Sequence, residues 1–459
     1  MQAEKDELAL LQMQALHHAH KESTRLYVLR KALPKLNENE NAFTAALEAV
    51  PAEDWCRTWG AGRTIMLRRT SKIVKKVVDK MRLPAVVRLS RSFWNEAGNG
   101  TKKAKLQFVL GQLAAMTARW QIITLELPRC DMEGQDAETL AGVLAQCPAL
   151  AHLDLSDNYH FGATDVISLS EVIIVSSLSE RLAGVLGQCR QLVHLNLSGI
   201  GICEAGAKRL AGVLGQCREL VHLNLSDNAI GPQGAESLAE VLAQCAALAH
   251  LNLKINEILS AGAESLAGVL GQCAALAHLD LSFNDIGDAG AESFAGVLGH
   301  CTALAHLNLR GNGIGSGGAE SLAGVLAQCT ALTHLNLFNN GIGPDGAESF
   351  AGVLRKCASL AHLDLGGNDV GPDGAESLEG VLAQCTALAH LDLSYNQIGP
   401  AGAESLAGVL AQCTALAHLD LCYNDIDAVG EGRLRASWRG EASGLVLLEP
   451  CTVCSLPSV

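Results

Sequence analysis

The sequence predicts an α/β solenoid, a linear stack of short strand and helix units. Three observations predict it. A Leu-x-Leu triplet recurs at a spacing of 28 residues, an Asn follows nine of these triplets at a constant distance, and a Gly- and Ala-rich amphipathic stretch follows the Asn. A period of this length marks a repeat architecture, because a lone strand or helix of this size buries its apolar face only when the next unit stacks on it.

The strands are placed first. Leu279-Asp280-Leu281, Leu307-Asn308-Leu309, Leu335-Asn336-Leu337 and Leu363-Asp364-Leu365 share one register, which runs back through Leu251, Leu223 and Leu195 and forward to Leu391 and Leu419. The step from Leu153 to Leu195 is 42 instead of 28, so this repeat carries fourteen extra residues within 159–180. That insertion, with its apolar run Val172–Val175, reads equally as a binding loop or as a remnant of duplication. With Leu125 the register holds eleven clear strands; a worn one follows at Leu445–Leu447 and another precedes at Val86–Leu89. Within Leu276–Leu281 a period of two sends Leu279 and Leu281 inward and His278 and Asp280 outward. Asn284 can satisfy backbone groups that a tight buried bend would orphan. Gly287 and Gly290 supply turn geometry, and Ala291, Phe294, Val297 and Leu298 form a stripe at helical spacing.

The unit LAHLDLSFNDIGDAGAESFAGVLGHC resembles the ribonuclease-inhibitor-like class of leucine-rich repeats, over about residues 84–450. The resemblance implies a leucine-rich-repeat solenoid shaped as a horseshoe, with parallel strands inside and helices outside. At ~4.8 Å per strand, twelve strands line a concave wall of roughly 50 Å. Such a wall suits a macromolecule, and no small-molecule substrate is expected.

Because the repeats are nearly identical, departures from their own consensus point to function. The helix surface hardly varies. The two positions just after each second Leu do vary, offering Lys254 and Ile255, Phe283, Arg310, Phe338, Tyr395 and Tyr423 where other repeats have Ser, Asp or Gly. Exposed aromatics and Arg are typical of interface hot spots, so this row at the concave rim is the candidate contact surface. Drift among duplicated repeats is the alternative.

Ten of the fifteen histidines occupy one repeat position, from His152 to His418. They should form a ladder on the concave face with neighbours ~5 Å apart; His250, His278, His306 and His334 at its centre complete the candidate contact residues. Mutual repulsion should make the ladder protonate gradually below neutral pH. A parallel row of Asp or Asn runs from Asp154 to Asp420. His beside Asp is a conceivable divalent-metal pairing, but a solvated row without a dedicated ligand is the plainer reading, and no metal or cofactor is assigned. Ten cysteines, Cys147 to Cys413, mark the helix ends; helices 8–10 Å apart hold them beyond disulfide reach, so they read as buried small hydrophobes. Cys451 and Cys454 in the tail 451–459 form a single CxxC, too little for a metal site.

The front of the chain, residues 1–82, reads as a basic helical region. Residues 1–124 hold 21 Lys+Arg against 11 Asp+Glu, and residues 125–459 hold 13 against 37, giving +10 and −24. From about residue 50, Pro51, Trp55, Leu67 and the run MLRRTSKIVKKVVD resemble an F-box, a short three-helix module that commonly precedes leucine-rich repeats. That likeness implies docking on the adaptor of a cullin-based ubiquitin ligase through Pro51, Trp55 and Leu67. The span from Pro51 to Ser71 is about three residues shorter than usual, and Ile73 stands where an aromatic is expected. The same basic helix could instead lie on an anionic membrane, touch nucleic acid or cap the solenoid. Lys102–Arg119, with Leu106, Val109, Leu113 and Met116 on one face, is expected as the first outer helix.

These readings converge on a protein-interaction scaffold, with a basic protein as partner for the acidic body. The alternative is an F-box-type substrate receptor. A GTPase activator of the Ran type shares this repeat class, but Cys451–Val459 does not resemble the long acidic tail of such activators. A nucleotide-driven receptor needs a GxxxxGK[ST] loop, which is missing, and no nucleophile–base pair stands out, so no enzyme is expected. Nucleic acid is disfavoured by the acidic body. Glu4-Lys5-Asp6-Glu7 is the wrong start for a secretory signal, and no apolar run is long enough to span a membrane, so a cytoplasmic or nuclear location with reduced thiols is expected.

Overall fold

The computed structural model describes residues 84–88, most of 106–117, nearly all of 121–158, and 185–447. The basic front 1–82 with Pro51, Trp55 and Leu67, the insertion at 159–180 and the tail 451–459 lie outside the described residues.

Alternation at the strand positions forms the inner layer. Among the described residues thirteen strands make one parallel sheet, each hydrogen-bonded to the next in chain order. They are β1 (Pro84–Arg88), β2 (Gln121–Glu126), β3 (His152–Asp154), β4 (His194–Asn196), β5 (His222–Asn224), β6 (His250–Asn252), β7 (His278–Asp280), β8 (His306–Asn308), β9 (His334–Asn336), β10 (His362–Asp364), β11 (His390–Asp392), β12 (His418–Asp420) and β13 (Leu445–Val446). Both worn strands expected at the ends are therefore present. The extra residues after Asn158 add no rung, because His152 pairs directly with His194.

The outer layer consists of α1 (Gly134–Leu144), α2 (Cys203–Leu214), α3 (Gly231–Leu242), α4 (Leu259–Leu270), α5 (Gly287–Leu298), α6 (Ser316–Leu326), α7 (Gly343–Leu354), α8 (Gly371–Leu382), α9 (Gly399–Leu410) and α10 (Ala428–Ser437). Helical residues within 106–117 precede them, with Leu106, Leu110 and Leu113 buried and Val109 half-buried against the same core. Helices α1 to α9 each stop at their last Leu, and the cysteine lies three residues further on, in the turn back to the next strand. Among the described residues no disulfide joins the thirteen cysteines. Burial pushes Cys147, Cys189 and Cys217 up to about 11.

Helices and strands meet over a continuous core of the two strand leucines and the helix stripe, with Phe294 and Phe350 fully enclosed. Small residues set the spacing between units. A Cβ added at Gly262 in α4 would lie 2.6 Å from the Ile258 side chain and 3.0 Å from Ala235 of the preceding helix.

One buried side chain per unit closes the bend between the layers. Asn284 donates from Nδ2 to the carbonyls of Leu253 (2.9 Å), Leu281 (2.9 Å) and Ser282 (3.2 Å), while its Oδ1 accepts from the Asn256 N–H (2.9 Å). The same pattern links each of these residues to the next, so backbone groups that water cannot reach are paired through an Asn ladder. At the far end β13 pairs with β12, and the Asp427 side chain caps α10 by accepting from the Gly430 N–H at 2.7 Å.

Candidate functional site: the concave groove and its rim

Alternation leaves the His and Asp/Asn positions of each strand on the inner face. Together with strand leucines they line a groove of about 580 Å3 that runs from His194 to His418. The register is like with like: His278 opposite His306, Asp280 opposite Asn308.

The histidines form the expected ladder, but more tightly than strand spacing requires. From His222 to His390 neighbouring ring centroids are 3.9–4.2 Å apart, and the planes lie 11–21° apart. Strands repeat at about 4.8 Å, so the side chains converge, as they must on the inside of a curve. Burial and neighbouring imidazoles hold His250, His278, His306 and His334 below the ordinary His value, His334 at about 4. The rings of His250, His278, His306 and His334 are therefore uncharged at neutral pH.

The Asp/Asn row is committed to the backbone. Asp280 Oδ1 accepts from the Ser282 N–H (2.9 Å) and O–H (2.7 Å), Asn308 Oδ1 accepts from the Arg310 N–H, and Asp364 Oδ1 from the Gly366 N–H. Each such bond fixes the turn that launches the rim residues. Among the described residues no three His, Cys, Asp or Glu side chains are grouped to hold a metal ion. Burial, then the neighbouring Asp392, pushes Asp364 up to about 7 against the pull of the Gly366 N–H and the Arg310 charge.

The rim residues come together as one strip. The Lys254 ammonium lies over the Phe283 ring at 5.5 Å, and the Arg310 guanidinium lies over Phe283 at 5.5 Å and over Phe338 at 4.3 Å. Phe338 meets Tyr395 edge-on at 6.5 Å, and Tyr395 stacks on Tyr423 at 4.2 Å. Ile255 stands beside the strip with 42 % of its surface exposed; Phe283 and Tyr395 are 39 % and 42 % exposed. Pro51, Trp55 and Leu67 are not among the residues placed here.

Residue type at a shared left-handed backbone position separates four of these residues from their counterparts. Ile255, Phe283, Tyr395 and Tyr423 have φ of +52°, +56°, +58° and +55°. At the same position other repeats carry Gly199, Gly311, Gly367, Asp227 and Asn339, residue types that tolerate this left-handed region. A β-branched or aromatic residue there is strained and persists where the surroundings over-determine it. Neighbouring glycines make the room: a Cβ on Gly311 would come within 2.7 Å of the Phe283 ring, and one on Gly366 within 2.7 Å of Phe338. Sequence reasoning missed Leu259, another exposed residue at positive φ where most repeats have Gly; the signal was that substitution itself.

A family model described as Leucine Rich repeat matches residues 216–239, 272–295, 300–323, 328–351, 356–378 and 384–407. Six of the units between residues 216 and 407 therefore match leucine-rich repeats. Solved structures similar to this leucine-rich-repeat solenoid include the leucine-rich repeat-containing protein LegL7 of Legionella pneumophila, at 22 % identity and TM-score 0.38 over 53 % of this chain and 78 % of that one. An internalin, InlF, of Listeria monocytogenes matches at 18 % identity and TM-score 0.38 over 76 % and 93 %. A chain of the yeast Rad7 and Elc1 complex matches at 14 % identity and TM-score 0.44 over 93 % and 96 %. Among curated proteins no sequence matches the chain. Among the described residues no helix of the solenoid is long and apolar enough to cross a membrane.

Proposed function

We propose that the solenoid is a protein-binding scaffold rather than an enzyme, and that it grips its partner along the rim from Lys254 to Tyr423. One observation carries this reading: large side chains at 255, 283, 395 and 423 occupy left-handed backbone positions where Gly, Asn or Asp would cost less, and Arg310 and Phe338 link Phe283 to Tyr395 and Tyr423 in one strip. The net charge of −24 on residues 125–459 supports a partner that is basic overall and is steered in by the acidic body. Contact itself is made by rings and guanidinium at the rim.

The test is the variant carrying Phe283→Ala, Arg310→Ala, Phe338→Ala and Tyr395→Ala in the full chain. Affinity capture with mass spectrometry should lose the proteins retained by the wild type while circular dichroism stays unchanged. Equal retention by the variant sinks the rim assignment. A substrate-receptor role in a cullin-based ligase is a second proposal, motivated by the sequence around Pro51, Trp55 and Leu67. It requires that the wild type retain a ligase adaptor and that Pro51→Ala with Trp55→Ala release it; an adaptor absent from the wild-type capture ends that proposal.

A further inference from the structure

Two cations converge on one aromatic ring at the centre of the rim. Lys254 and Arg310 both lie 5.5 Å from the Phe283 centroid, and Phe338 covers Arg310 from the next repeat at 4.3 Å. Among the described residues neither cation has an ion-pair partner. Arg310 Nε is buried with no hydrogen-bond partner, one of two such side-chain nitrogens among the described residues. A buried guanidinium N–H left without a partner is costly, and an anion bound at the exposed nitrogens of the same planar group offsets that cost.

The clamp is built and does not depend on chance rotamers. Phe283 rests on Gly311 and Phe338 on Gly366, where no Cβ fits without moving the ring. The Arg310 N–H of the main chain is bonded to Asn308 Oδ1, which fixes the stem of the side chain. The Phe283 and Phe338 rings both lie against the half-buried guanidinium, and a planar guanidinium holds a planar anion by two parallel N–H bonds.

We propose that Arg310, supported by Lys254, is an anchor site for a carboxylate side chain of the partner protein, flanked by an apolar or aromatic residue that packs on Phe283 and Phe338. This rests on the rim being the contact surface, and it adds that a partner basic overall brings an acidic residue to this one point. A carboxylate fits better than a phosphoryl group because Asp280 lies on the strand between Lys254 and Arg310 and Asp364 lies within electrostatic reach of Arg310. With a body of −24 around them, these carboxylates repel a doubly charged group more than a singly charged one.

The experiment selects random dodecapeptides displayed on phage against immobilised full-length wild type, Arg310→Gln, Lys254→Gln and the quadruple rim variant. Peptides enriched on the wild type should carry Asp or Glu beside an aromatic or aliphatic residue and should lose that acidic preference on Arg310→Gln. By fluorescence polarisation, changing the peptide's Asp to Asn should weaken binding to the wild type about tenfold or more and change little on Arg310→Gln. Lys254→Gln, at a side chain outside the ring clamp, should give a smaller loss in the same direction, and it serves as the reporter if Arg310→Gln lowers the melting temperature. Enriched peptides without an acidic residue, or an Asp-to-Asn loss that persists on both cation variants, overturn the anchor while leaving the rim intact. A phosphoserine version that binds the wild type tenfold tighter than the Asp version overturns the carboxylate assignment. Peptides that bind the quadruple variant as well as the wild type, or a selection that enriches nothing over it, overturn the rim reading itself.

Discussion

Asn312 is fully buried, and its carboxamide serves two repeats at once. Nδ2 donates to Leu281 and Leu309 carbonyls at 3.0 and 2.9 Å, and Oδ1 accepts from the Asn284 N–H at 2.9 Å. Asn312→Ala orphans several backbone groups where water cannot replace the bonds, at about 1–3 kcal/mol each. The expected result is a loss of about 3 kcal/mol in urea unfolding and faster hydrogen exchange at the Asn284 amide; an unchanged exchange rate would show that the ladder is not what protects it. Ile255 makes the opposite case. Its φ of +52° costs a β-branched residue about 1 kcal/mol, and Asn occupies the equivalent position 339 at +57°. Ile255→Asn should therefore raise the urea midpoint by the equivalent of about 1 kcal/mol while weakening partner retention. A variant that gains neither stability nor loses binding removes the strain argument.

Within a single helix, space decides the sign of one methyl group. In α4, Gly262→Ala forces contact with Ile258 and Ala235 and should destabilise by about 1–3 kcal/mol. Gly268→Ala, with nothing within 4 Å of the new Cβ, should stabilise by about 0.5–1 kcal/mol through helix propensity. Thermal melts of the two variants should move in opposite directions, and equal shifts would refute the packing account. The eleven strands from Leu125 to Leu419 were legible in the sequence through their shared register, while the end strands sit off it, Val87 pairing with Leu125 and Leu445, not the in-phase Leu447, with Leu419. The rim residues were legible as departures from their own consensus. What was not legible depends on three-dimensional proximity: the Arg310 clamp, the glycines beneath Phe283 and Phe338, and the use of Asp280 by its own turn. Ring spacing in the ladder also escaped, since strand spacing ignores the convergence of side chains inside a curve.

At the scale of the whole molecule, the ladder ties stability to pH. An imidazole with lowered proton affinity in the folded chain stays neutral there while its unfolded counterpart takes up a proton. Its contribution is complete above the ordinary value of 6.5 and is lost as pH falls, down to about 4 for His334. His194, His250, His278, His306 and His362 act in the same direction. Asp364 and Asp392 act oppositely: raised by burial, Asp364 to about 7, they favour the folded state at low pH and oppose it as pH rises. Six imidazoles outweigh two carboxyls, so the melting temperature should fall as pH drops from 6.5 to 4, and His306→Gln with His334→Gln should make that fall shallower. A pH profile identical in the double variant would dissociate the ladder from acid sensitivity.

The like-with-like register also makes the molecule a gauge. Each His, Asn and Leu is bonded to a neighbour of its own kind 28 positions away, so the stack does not record which rung it is. Only the rim does, through the order Lys254, Phe283, Arg310, Phe338, Tyr395, Tyr423. Gain or loss of one whole repeat would therefore slide one half of that order past the other by a single strand width, about 4.8 Å, with every internal bond re-formed. Partner choice in such a molecule can change by graduation of length, without the invention of a new contact.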